Sequence, residues 1–71
     1  MVAEKWLQVF IDLIRERGCV TRHFVVEYII ASYLMPERKA SKIADNTLAT
    51  LVKRGVVVRK GRGVYCWSGS P

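Results

Sequence analysis

Ten residues in the second half of this 71-residue sequence have side chains suited to holding a polyanion. Arg38, Lys39, Lys42, Asn46, Ala49, Thr50 and Lys53 recur at spacings that one helix would gather, and Arg59, Lys60 and Arg62 crowd around Gly61 and Gly63. Lysine and arginine neutralise phosphate oxygens, whereas asparagine can bridge the N6 and N7 edge of adenine. Ala49 and Thr50 are small enough to meet a thymine methyl group. Glycine beside arginine permits close approach to a phosphate backbone or a narrow minor groove.

The charge is segregated in a way that supports this chemistry. Over residues 1–37, Lys5, Arg15, Arg17 and Arg22 stand against Glu4, Asp12, Glu16, Glu27 and Glu37, a net of −1. Over residues 38–71, eight bases stand against Asp45 alone, a net of +7. Solubility alone gives no reason for such a division, and a single-sign cluster marks an electrostatic footprint. An anionic partner follows as the first expectation, with a steep loss of affinity in salt.

Other chemistries find little support. No nucleophile, base and orienting group stand at a suggestive spacing, so no enzyme activity, catalytic residue or cofactor is expected. His23 is the one histidine, and with two cysteines it makes no zinc-site spacing, so no metal is expected. The most apolar stretch, Phe24 to Met35, is short and interrupted by Glu27, which argues against a membrane span. Glu4 and Lys5 fall where a signal peptide needs an apolar region, so a non-secreted, cytoplasmic and nucleoid-associated protein is expected. The hydrophobic fraction of 51% suffices for one small core, and residues 1–71 read as a single domain.

These residues need elements to position them. Trp6, Leu7, Phe10, Ile11, Leu13 and Ile14 repeat at the helical period, giving a first helix over about 3–17 that Gly18 closes. Cys19 and Val20 form a short extended piece, and Thr21 can cap a second helix over about 22–34. That segment is rich in β-branched residues, but its length and the spacing of its apolar positions favour a helix, which Pro36 ends. A third helix over about 37–54 has Pro36 in its first turn, with Ala44, Leu48 and Leu51 on the core face. Its opposite stripe is Lys42, Asn46, Ala49 and Lys53, flanked by Asp45 and Thr50. A hairpin over about 56–67 turns at Gly61-Arg62-Gly63, and residues 68–71 read as a frayed tail.

The stretch LATLVKRGVVVRKGRGVYCW, Leu48 to Trp67, resembles the recognition-helix end and wing of winged helix-turn-helix DNA-binding proteins, including small archaeal, viral and bacterial regulators. The carrying features are Leu48 and Leu51, then Gly55, an apolar strand, a basic glycine-containing turn and a strand with Tyr65. The resemblance implies a mostly α fold with a small β-hairpin, an α+β arrangement in the order helix, short strand, helix, helix, strand, strand. It also implies that the third helix enters the major groove of double-stranded DNA while the hairpin lies along the backbone. A transcription regulator is the function so implied, binding as a possible homodimer because specific sites for such modules usually need two copies. An RNA- or ribosome-associated winged helix and a protein–protein adaptor are the competing readings.

The same resemblance bears on the cysteines. In winged helices the strand after the first helix commonly pairs with the wing, which would bring Cys19 close to Cys66. Reduced, buried thiols are nonetheless the default for an intracellular chain, and a Cys19–Cys66 disulfide is the rarer alternative. One Asn and one Gln against seven Arg lean toward a thermophile's composition, in which intracellular disulfides are less rare.

Overall fold

A computed structural model describes residues 3–69. Along the chain run α1 (Glu4–Arg17), β1 (Cys19–Thr21), α2 (Arg22–Tyr33), α3 (Glu37–Lys53), β2 (Val57–Gly61) and β3 (Val64–Trp67). The result is mostly helical with one small antiparallel sheet, an α+β arrangement. The strands lie in the order β1-β3-β2, so the hairpin's second strand is central and β1 covers its free edge.

Each boundary has a local cause. Leu7, Phe10 and Ile14 put one buried stripe on α1. Gly18, at φ 85°, ends the helix by donating its N–H to the Ile14 carbonyl at 2.7 Å. Thr21 closes β1 and caps α2, its hydroxyl accepting the Phe24 N–H at 3.0 Å. Helix α2 holds despite its β-branched residues because Val25, Val26 and Ile29 are buried against the rest of the core. It stops one residue earlier than expected, where Leu34 adopts a left-handed conformation (φ 50°, ψ 49°) ahead of Pro36. Pro36 is extended (ψ 147°) and serves as the N-cap of α3, one position before the first turn in which it was expected.

Ala40, Ala44, Thr47, Leu48 and Leu51 form the buried face of α3. Two alanines there let the helix approach its neighbours closely, while Phe10, Ile14, Ile29 and Leu48 fill the centre. Each such large side chain contributes about 1.5–3 kcal/mol by leaving water. Residues past 53 tighten rather than fray, with the Arg54 N–H on the Thr50 carbonyl and the Val56 N–H on the Leu51 carbonyl, both at 3.0 Å.

In the sheet, Cys19 pairs with Cys66, Val20 with Tyr65 and Thr21 with Val64. On the other side Val57 pairs with Trp67, Val58 with Cys66, Arg59 with Tyr65 and Gly61 with Val64. Lys60 is left without a partner, a bulge that redirects the strand just before its turn. The tail expected from residue 68 begins tied down, because the Ser68 N–H donates to the Val56 carbonyl at 3.2 Å. Positions 70 and 71 of that expected tail lie outside the described residues.

The cysteines depart from the default of reduced thiols: Cys19 and Cys66 form a disulfide, with their Cα atoms 3.9 Å apart. The sheet register explains the pairing. The Trp67 N–H donates to the Gly18 carbonyl at 2.7 Å, which makes the next pair, Cys19 and Cys66, a non-hydrogen-bonded one. At such positions facing side chains approach most closely.

Candidate nucleic-acid interface

The outward face of α3 carries Lys42, Asp45, Asn46, Ala49 and Lys53, all exposed and opposite the buried alanines and leucines. The helical period therefore divides this helix as its sequence indicates. Arg38 and Lys39 are exposed in its first turn. Thr50 is only half-buried, and its hydroxyl donates to the Asn46 carbonyl at 2.9 Å. That bond commits the Thr50 proton to its own helix and leaves Asn46, Lys42 and Lys53 as the polar side chains of the stripe.

Beside this face runs a groove of about 310 Å³, with Asp45, Ala49, Val52 and Lys53 on one wall and Arg59 and Tyr65 on the other. It brings together three of the sequence-predicted residues, Ala49, Lys53 and Arg59. Lys42, Asn46, Arg38 and Lys39 lie on α3 outside its lining, as do Lys60 and Arg62 at the hairpin tip. Arg59 reaches toward the hairpin turn, its Nε donating to the Gly61 carbonyl at 3.4 Å. Lys60 is exposed at the bulge and Arg62 at the turn.

Two contributors, Val52 and Arg22, were not anticipated. Val52, apolar and next to the buried Leu51, is 38% exposed and lines the groove. Arg22, counted with the acidic half of the chain, reaches α3. Its Nε donates to Asp45 Oδ1 at 2.6 Å and its Nη2 to Oδ2 at 3.2 Å, while its backbone N–H donates to the Gly63 carbonyl at 2.8 Å. One residue thus joins the start of α2, the outer face of α3 and the hairpin turn. The only sequence signal for it was Asp45 itself, a single carboxylate among eight bases.

The Arg22 fork holds the Asp45 carboxyl below the usual carboxylate range, chiefly through the hydrogen bond, against the opposing effect of burial and with a lesser contribution from the arginine's charge. The one acidic side chain on this face is thereby neutralised by a partner from another element. Among the described residues no group of three or more His, Cys, Asp or Glu could hold a metal ion. No helix among them is long and apolar enough to cross a membrane.

No protein-family model matches the chain, and neither a curated protein nor a solved structure matches it significantly. What the site can do therefore rests on its own geometry and charge.

Proposed function

We propose that this chain is a winged helix-turn-helix protein that binds double-stranded DNA, α3 entering the major groove and the β2–β3 hairpin lying on the phosphate backbone. The single observation that carries this reading is the alignment of a small, polar, basic helix face with a basic hairpin across one groove. Supporting it are the element order and the β1-β3-β2 sheet, which match the arrangement of that fold. Asn46 and Ala49 supply base-edge chemistry, Lys42 and Lys53 reach guanine or phosphate, and Arg59, Lys60 and Arg62 contact the backbone. A transcription regulator acting as a homodimer in the cytoplasm is the physiological role that fits such a module.

Fluorescence anisotropy of the pure protein against duplex DNA and hairpin RNA of equal length, each across a salt series, tests the proposal. Micromolar or tighter duplex binding, weaker on RNA and weakened by Lys42→Glu, is expected. Tighter binding to RNA would exclude groove reading by α3, because the A-form major groove is too narrow for it. Flat, weak binding to both would assign the basic face to a protein partner.

A further inference from the structure

A second recess, larger than the groove beside α3, lies away from the basic stripe. A cleft of about 730 Å³ lies where α1, the turn after α3 and the end of β3 meet. It shares no lining residue with the groove between α3 and the hairpin. Ile11, Val56 and Trp67 make its apolar surface, and Arg15 and Arg54 are its charged groups. Among the described residues no carboxylate lines it. Among the described residues neither arginine has an ion-pair partner, since the one salt bridge joins Arg22 to Asp45. Asp12, on the same helix as Arg15, accepts instead from Gln8 Nε2 at 2.9 Å.

Two arginines from separate parts of the chain thus line one cleft with a half-buried indole, and no anion among the described residues compensates them. The Arg15 guanidinium carbon stands 5.9 Å from the Trp67 ring centroid. Like charges held on one cleft repel, and an anion seated there relieves the repulsion. Arginine favours planar or tetrahedral oxyanions that accept two parallel hydrogen bonds. An apolar wall that includes a half-buried indole favours an aromatic body on the same ligand. The volume falls within the range of about 300–1,000 Å³ typical of small-molecule sites.

We propose that this cleft binds a small aromatic anion, a flat ring carrying a carboxylate or a phosphate ester. The ring lies against Trp67 and the anionic group is held by Arg15 and Arg54. The site is independent of DNA binding, although Arg54 and Gly55 place it directly at the end of α3.

The test is a titration followed by amide and indole NMR shifts, with 2-naphthoate and adenosine monophosphate as anionic probes and 2-naphthamide as the neutral one. Saturable shifts of the Trp67 indole N–H and the Gly55 and Gly69 amides are expected with at least one anion. Binding should be tenfold or more weaker for 2-naphthamide and for the Arg15→Gln/Arg54→Gln double variant. Both arginines are exposed, so the variant should keep its fold, which its own amide spectrum verifies. Response to naphthoate alone assigns a carboxylate ligand, to the nucleotide alone a phosphate ester, and to both a shared seat. Three outcomes would overturn the proposal: no saturable shift at the cleft with either anion, equal binding of the amide, or shifts confined to Lys42, Lys53 and Arg59. The last would mean general attraction to the basic face.

Discussion

Thr47 is an anomaly among the buried side chains. It is fully enclosed on the inner face of α3, and its hydroxyl has no hydrogen-bond partner. An unpaired buried hydroxyl costs about 1–3 kcal/mol, and valine has nearly the same shape without it. Thr47→Val is therefore expected to stabilise the protein by about 1 kcal/mol, a rise in melting temperature of about 4–8 °C for a domain this small. A thermal melt decides the point; an unchanged or lower midpoint would mean that the hydroxyl is satisfied after all. Asp45 allows a second expectation at the level of single residues. Its depressed folded-state ionisation means the Arg22 pair contributes fully above the ordinary unfolded carboxylate value of about 3.9 and is lost as pH falls through the lower folded value. Both side chains are about half exposed, so solvent screening limits that contribution to well under about 1 kcal/mol. The melting difference between the natural protein and Asp45→Asn should accordingly be small at neutral pH and shrink toward zero below about pH 4. The same substitution removes the one carboxylate from the outer face of α3 and frees Arg22. It should tighten duplex binding about fivefold, the effect of roughly 1 kcal/mol from one nearby charge; weaker binding would instead make Asp45 a base-reading group.

Among the elements, those governed by local periodicity were legible in the sequence and those governed by long-range register were not. The faces of α1 and α3 follow from spacings of three and four residues, and the expected ends of all three helices lie within a residue or so of the observed ones. The helical state of α2 followed from its length and from Pro36, but nothing in the identity of Leu34 marks a left-handed turn. That residue is 91% exposed, so packing does not signal it either. Arg22 and Asp45 are 23 positions apart, and only the folded arrangement of α2 against α3 brings them together. The approach of Cys19 to Cys66 follows from the winged-helix resemblance, and reduced thiols were the default only because the chain reads as intracellular. The disulfide closes a sequence separation of 47 residues. On chain-entropy grounds a loop of that length stabilises by about 4 kcal/mol. A domain of this size has a total stability of about 4–10 kcal/mol, so the bond is a large share of it. Replacing both cysteines with alanine, or adding a reductant, should shift the urea midpoint sharply downward. Equal midpoints would mean that the β1–β3 pairing is held by its backbone bonds and by Val20 alone.

For the molecule as a whole, size and charge together limit the DNA contact proposed for it. The protein measures 32 × 22 × 19 Å, and its excess charge of +6 is concentrated on α3 and the hairpin. One copy is thus about as long as a single turn of duplex, so in the proposed complex it would cover at most one half-site. The cations available to that contact are Arg38, Lys39, Lys42, Lys53, Arg59, Lys60 and Arg62, which limits the phosphates one copy can neutralise. Each neutralised phosphate contributes about −0.9 to the slope of log affinity against log salt, giving about −5 to −6 per copy. A 12-base-pair duplex, with room for one copy, should show that slope. A duplex spanning two half-sites one helical turn apart should show about twice the slope if two copies bind together, and the same slope per copy if they bind independently. Lys53→Gln should weaken every duplex alike and lower the slope by about one unit, whereas Asn46→Ala should weaken only duplexes carrying the preferred base and leave the slope unchanged. A slope near −2 on the short duplex would mean that α3 and the hairpin do not contact the backbone together, and the basic groove between them would then require a different anionic occupant.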